Sequence, residues 1–163
     1  MMDVRRLDPS DIAAFRAVRL ECLELHPENF GTVWEVEREQ PDSHFRHMLE
    51  EHQFWGGFMD GSLAGIVGFF VMPRAKERHR GVLYAMYVRP AARGTGLGNR
   101  LVQVVIDHAR PLVDLVWLRV AAGNAPAKAL YARFGFRTYG LEQSSLKIDG
   151  VSIDQEYQVL MFP

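Results

Sequence analysis

The tightest constraint on how this chain can fold is the run Arg93-Gly94-Thr95-Gly96-Leu97-Gly98. An apolar stretch over residues 82–88 precedes it, and a helical pattern follows to about Ala109. Glycines at alternate positions let the backbone approach a ligand with no Cβ in the way. Where a strand gives way to a helix, the first helical amides have no intrahelical partner and carry the positive end of the dipole. Such a junction is an anion cradle, most simply for phosphate.

Spacing narrows the ligand. A dinucleotide fingerprint needs G-x-G-x-x-G. Counted from Gly94, its last glycine falls on Asn99; counted from Gly96, it falls on Leu101. The next apolar strand, residues 115–120, also ends without an acidic residue for a ribose. A P-loop needs G-x-x-x-x-G-K-S/T. From Gly94 that pattern meets Asn99, Arg100 and Leu101 instead. The shorter rule Gln/Arg-x-x-Gly-x-Gly/Ala fits residues 93–98.

Periodicity supplies the frame. Residues 4–7 read as a short strand, Ser10 as an N-cap, and residues 12–25 as an amphipathic helix ended by Pro27. Residues 35–39 are acidic and compatible with a helix, and residues 44–51 form a further one. The period then changes to two. Strands are expected over 54–59, 62–72 and 81–88, the first two joined at Asp60-Gly61, a strong hairpin signal. A strand over 115–120 leads to a helix over 124–134, with Asn124 as N-cap, Pro126 in its first turn and Gly135 after its end. A strand over 136–141 and a closing hairpin, residues 146–148 with 157–161 about Asp149-Gly150, complete the chain. The expectation is an α/β (α+β) fold, one domain over 1–163. Its mixed, mostly antiparallel sheet should have about six to seven strands, flanked by about four helices.

Composition excludes several functions. A net charge of −1 argues against a nucleic-acid partner. No apolar run reaches the ~18 residues of a membrane span, and no apolar leader follows Met1 to Arg6. A cytoplasmic location is therefore expected. The single cysteine, Cys22, excludes an intramolecular disulfide framework and a Cys-rich zinc site. His44, His47 and His52 do not form the H-E-x-x-H arrangement, so no metal is expected. The apolar end, residues 157–162, suits a buried strand or the interface of a homodimer.

Two blocks carry a family resemblance. The lead-in Met86-Tyr87-Val88-Arg89-Pro90 runs into the glycine motif. Then comes Asn124-Ala125-Pro126-Ala127-Lys128-Ala129-Leu130-Tyr131, followed by Phe134-Gly135-Phe136. In this order and at this separation they resemble the GNAT superfamily of N-acetyltransferases, strongly over residues 81–140 and in outline over the whole chain. The resemblance implies acetyl-CoA as cofactor. Backbone amides of Arg93, Gly94, Thr95, Gly96, Leu97 and Gly98 would hold its pyrophosphate. The strand end at Met86, Tyr87 and Val88 would lie along the pantetheine arm, with Met86 and Val88 pairing to it through backbone groups. A splay between the strands of Val88 and Val120 would admit the arm. The helix start at Asn124 and Ala127 would flank it, Asn124 hydrogen-bonding to it, and Tyr131 would sit near the sulfur.

Acyl transfer to an amine requires a neutral amine, a stabilised oxyanion and a proton for the leaving thiolate. The Val88 amide is the candidate oxyanion donor. Tyr131 is the candidate general acid, since a free phenol with a pKa near ~10 stays protonated at neutral pH. Many relatives carry a Glu on the strand before the glycine loop, but Tyr84-Ala85-Met86-Tyr87 offers no carboxylate. Glu35 is the candidate base or amine anchor, with Glu37 next to it in rank; a water chain or an amine that arrives neutral are the other routes. No cysteine is placed for an acetyl-enzyme, so direct transfer in a ternary complex is expected. The acceptor would be a primary amine on a small molecule, an amino acid or a peptide. A non-catalytic acyl-CoA-binding module is the alternative; the missing strand carboxylate favours it and Tyr131 opposes it. Phe30, Trp34, Trp55 and Tyr84 could line an acceptor pocket, and His26 and His79 could reach it.

Overall fold

The computed structural model describes all 163 residues. Its strands are β1 (Met2–Arg6), β2 (Gln53–Met59), β3 (Ser62–Val71), β4 (Arg80–Val88), β5 (Leu115–Ala121), β6 (Arg137–Ile148) and β7 (Val151–Met161). The helices are α1 (Ile12–Leu25), α2 (Trp34–Glu37), α3 (Asp42–Glu51), α4 (Leu97–Ala109) and α5 (Ala125–Arg133). The seven strands form one sheet in the order β1-β2-β3-β4-β5-β7-β6. Every pair is antiparallel except β4–β5. This is the mixed sheet expected from the pattern, with five helices, α2 being a single turn. No helix is long and apolar enough to cross a membrane.

Two apolar layers sandwich the sheet. On one face α1 and α3 bury Phe15, Val18, Cys22 and Phe45 against Phe54 and Ile66. On the other, α4 buries Leu97, Leu101, Val102 and Val105 against Val67, Phe69 and Leu118. The period-two alternation of β2 and β3 is what divides side chains between the layers, since neighbours along a strand point to opposite faces.

Two irregularities position the site. First, β4 carries a bulge. Its residues Tyr84 and Tyr87 oppose Gly68 and Ile66 on β3, so β4 holds one residue more, and Ala85 takes a left-handed φ of 52°. A bulge re-aims the residues beyond it. Leu83 packs with α4, whereas Ala85 and Tyr87 pack on the α1 side, which an unbroken alternation would forbid. Second, β4 and β5 pair over only three residues, Arg80 to Val82 against Leu115 to Trp117. Beyond them β4 stays with β3 as far as Val88, and β5 stays with β7 as far as Ala121. The sheet therefore parts along its only parallel seam.

Two expectations are corrected. Residues 136–141 and 146–148 are not separate strands but parts of continuous β6, whose pairing with β7 shifts register twice, between Thr138 and Gly140 and between Glu142 and Leu146. The chain after Arg6 is capped by Asp8, not Ser10. Asp8 accepts from the Ser10 amide, and Asp11 accepts in return from the Asp8 amide, 2.9 Å away.

Candidate functional site

The parted seam opens a cleft of about 1150 Å³. Met86 and Val88 line it from β4, Trp117 and Val120 from β5, and Ala127 and Tyr131 from α5. The glycine loop closes one end. After a 3-10 turn over Pro90–Ala92, Gly94 and Gly96 adopt φ of 77° and 90°, conformations a side chain disfavours. Thr95 folds back to donate from Oγ1 to the Ala92 carbonyl at 2.6 Å. Gly96 then starts α4 with no side-chain cap. The amides of Gly94, Thr95, Gly96, Gly98 and Asn99 find no acceptor within the protein, and all five residues line the cleft.

Gly98 is constrained differently. A Cβ there would meet nothing closer than Leu130 Cδ2 at 3.5 Å, Met86 Cε at 3.7 Å and Val88 Cγ2 at 3.8 Å. The protein itself has room for a side chain at Gly98, but the added atoms would occupy the cleft. The cradle of free amides with space over Gly98 fits the pyrophosphate and arm of a coenzyme A. Leu97 departs from its neighbours. Its side chain is fully buried beneath Gly57, and its amide is directed to Thr95 Oγ1 at 3.4 Å. It supports the loop from the core and is absent from the cleft wall.

Strand alternation aims the backbone of β4. The Arg89 amide donates to Ala64 on β3 at 2.8 Å. Successive amides of a strand point to opposite edges, so the Val88 amide faces the edge that β5 has left. The Val88 carbonyl on that edge accepts Arg93 Nε at 3.1 Å. Arg93 also places a guanidinium nitrogen 3.2 Å from His26 Nε2. Tyr87 borders the cleft while its hydroxyl donates to Glu21 at 3.0 Å; burial, then Glu21, push that hydroxyl up to about 12. Across the cleft, Asn124 caps α5 by accepting the Ala127 amide at 3.3 Å. Tyr131 is buried, and desolvation alone raises its hydroxyl well above the ordinary tyrosine range.

A second cavity of about 380 Å³ adjoins the first. Arg19, Thr32 and Tyr84 line both. Its wall is made of side chains. Arg19 from α1 and Glu37 from α2 form a buried ion pair, Nε to Oε2 3.3 Å. His44 Nε2 lies 3.1 Å from Glu37 Oε1, and Glu37 Oε2 makes no aligned hydrogen bond. Arg16 fixes the segment carrying Glu37 by donating to the carbonyls of Arg38 and Gln40 at 2.8 and 2.9 Å. His52 follows α3, its ring stacked on Phe70 at 4.5 Å between centroids and its Nδ1 hydrogen-bonded to the Tyr84 hydroxyl. Burial lowers the His52 pKa and raises that of Tyr84.

Glu35 is not brought to either cavity. It lies on the opposite side of α2 from Glu37, exposed to solvent. His79 also lines neither cavity, whereas His26 and Phe30 border the first. Spacing missed the assembly of Arg19, Glu37, His44, His52 and Tyr84, which come from separate elements. Only the buried setting of charged residues in otherwise apolar helix patterns, Arg19 above all, could have signalled it. No group of three or more His, Cys, Asp or Glu side chains is arranged to hold a metal. Free amides, a buried protonated phenol and an adjoining polar cavity together suit transfer of a group from an anionic carrier to a polar acceptor.

Comparison with known proteins agrees. The model of the Acetyltransferase (GNAT) family matches residues 19–136. The chain is 31% identical to the N-alpha-acetyltransferase RimI of Mycobacterium tuberculosis, over 88% of each protein. It is 30% identical to a mycothiol acetyltransferase of Streptomyces griseus over 85% of this chain, which spans only 44% of that longer protein. In fold it is similar to yncA of Salmonella typhimurium, solved with its cofactor acetyl-CoA. That likeness has a TM-score of 0.88 at 20% identity and covers 100% of this chain and 95% of that one.

Proposed function

This chain belongs to the GNAT family of acetyltransferases, and from that premise we propose that it transfers the acetyl group of acetyl-CoA directly to a primary amine on a small molecule, an amino acid or a peptide. The observation that carries this reading is the junction at Arg19, Thr32 and Tyr84. There a cleft lined by free amides and apolar strand ends opens onto a cavity lined by polar side chains. The name of the relative of similar length supports an amine acceptor.

When bound, acetyl-CoA supplies the acetyl group as a thioester. The free amides of Gly94, Thr95, Gly96, Gly98 and Asn99 would hold the pyrophosphate; that of Arg93, expected to join them, donates to the Pro90 carbonyl instead. Met86 and Val88 orient the arm through the β4 edge that β5 leaves free. The Val88 amide stabilises negative charge as it develops on the acyl oxygen, the kind of fixed donor worth about 2.7–4 kcal/mol in a dry site. Asn124 and Ala127 flank the arm from the start of α5. Tyr131 donates its proton to the leaving sulfur, and its raised pKa keeps that proton available across the neutral range.

The test is release of free thiol from acetyl-CoA over a panel of α-amino acids, short peptides, polyamines and amino sugars, with the acetylated product identified by mass. Turnover with at least one primary amine is expected. A melting point raised by acetyl-CoA with no thiol release from any amine would favour a non-catalytic acyl-CoA-binding module.

A further inference from the structure

We infer that Tyr84 and His52 form a proton relay that takes the proton of the acceptor amine, Tyr84 by contact and His52 through Tyr84. This rests on the reading of the chain as an amine acetyltransferase. It concerns the role for which β4 offers no carboxylate.

Three observations place the pair. Tyr84 lines both cavities and so stands at their junction. That hydroxyl is hydrogen-bonded to His52 Nδ1. Both rings are fixed: His52 stacks on Phe70, and Tyr84 meets Phe54 and Phe70 edge-on, with centroids 5.5 and 5.2 Å away. Alternation from Leu83, which packs on the α4 side, turns Tyr84 toward the α1 side, where His52 and Phe70 meet it.

The charges around the pair suit a proton acceptor. Glu51 favours the imidazolium and His47 opposes it, both from α3. Arg19 from α1, Glu37 from α2 and His44 from α3 share the cavity wall, and Phe70 from β3 brings no charge. Desolvation dominates and lowers the His52 pKa below 6.5. Burial therefore favours the neutral imidazole, which can accept a proton. Tyr84, its own pKa raised by burial, stays protonated and donates to Nδ1.

The step balances. As the C–N bond forms and the C–S bond breaks, the nitrogen proton passes to Tyr84 Oη while the Tyr84 proton passes to His52 Nδ1. Tyr131 supplies the proton taken by sulfur. The imidazolium then releases its proton to solvent and Tyr131 regains one, so no net charge accumulates. The relay acts on the nitrogen once it is bonded to carbon and acidic; it does not have to strip a free ammonium.

The experiment uses Tyr84→Phe, His52→Gln and the double variant with the best amine of the panel. Each single variant should lower kcat by about 100-fold with the KM for acetyl-CoA unchanged. The double variant should be no slower than either single one, as expected of residues acting as a unit. Wild-type kcat should fall as pH drops through the His52 pKa, and His52→Gln should lose that acid limb. Imidazole added to His52→Ala should restore part of the rate. A melting-point rise with acetyl-CoA confirms that each variant is folded. The relay also requires the Nε2–H tautomer of His52, readable from imidazole nitrogen shifts in the wild type. A variant with wild-type kcat and an intact acid limb, single effects that multiply, or an Nδ1–H tautomer would each overturn the relay while leaving acetyl transfer standing. A wild type that binds acetyl-CoA and turns over no amine overturns the transfer reading, and the relay with it.

Discussion

Around the first cleft the polar groups left without a partner are mainly backbone: the amides of Gly94, Thr95, Gly96, Gly98 and Asn99 and the edge of β4 that β5 leaves free. Around the second it presents side chains: Arg19 from α1, Glu37 from α2, His44 from α3, His52 just after it and Tyr84 from β4. On the proposed function, the difference follows from what each would hold. A carrier with a fixed pyrophosphate and an amide-bearing arm can be gripped by main-chain donors, and these need only the right conformation. An acceptor amine must be oriented and deprotonated, and main-chain groups cannot take its proton. The donor half therefore depends on which residues allow a conformation, and the acceptor half on which side chains meet in space.

The sharpest way to break this contrast is to remove Glu37. Its side chain is 3% exposed and that of its partner Arg19 is 8% exposed. Stripping one member from a buried pair leaves the other charge uncompensated, at a cost of about 3–5 kcal/mol. Glu37→Ala should lower stability by that amount in a denaturant titration. Whatever remains folded should bind acetyl-CoA nearly as the wild type does, because Glu37 itself lines only the second cavity. A loss under 1 kcal/mol would mean that the acceptor wall is not held together by its side chains.

Next in size is Tyr131→Phe, the one side chain of the donor half to which the proposed function gives a chemical role. Loss of a general acid should slow kcat by about 100-fold, or about 2.7 kcal/mol of barrier, with the KM for acetyl-CoA unchanged. The pH profile sharpens the test. A phenol whose pKa is raised keeps its proton as pH rises through 10. The wild type should therefore show no alkaline limb from Tyr131 in the range where the free side chain would titrate. A wild-type rate in Tyr131→Phe would assign the tyrosine to packing alone.

Gly98→Val isolates the backbone principle. Its Cβ would come no closer than 3.5 Å to the side chains packed around it, so the fold should tolerate it, but the branched side chain stands in the cleft. Overpacking typically costs about 1–3 kcal/mol, so acetyl-CoA should bind about 5- to 150-fold more weakly by titration calorimetry. Unchanged affinity would mean that the arm does not pass over Gly98.

The same contrast explains what could be read from the sequence. The glycines with positive φ, the Asn124 cap and the break of helix by proline are local demands, and each selects a residue type at a fixed offset. Most strand bounds followed from periodicity for the same reason. The bulge at Ala85 left no mark, because alanine is not a residue that advertises a left-handed φ of 52°. The unity of β6 was hidden because residues 142–145 are polar and mostly exposed and so read as a break. The acceptor wall was hidden because its members are far apart in the chain, and only tertiary packing makes them neighbours.

Glu35 and Glu37 show that limit within one turn of helix. Both are acidic, both lie between α1 and α3, and over the four residues of α2 no periodicity exists to say which one faces inward. Packing decides: Arg19 reaches across from α1 and draws in Glu37, and two residues apart on a helix Glu35 is turned away. Glu35→Gln should thus change kcat, both KM values and the acid limb by less than about 2-fold, and stability by no more than about 0.5 kcal/mol, as for other exposed substitutions. Paired rate and melting measurements on Glu35→Gln and Glu37→Gln check this. If Glu35→Gln slows turnover 10-fold or more while leaving acetyl-CoA binding intact, α2 must rotate when acceptor binds. The acceptor wall would then be assembled by the substrate, and the contrast between the two halves would become one of rigidity as well as of material.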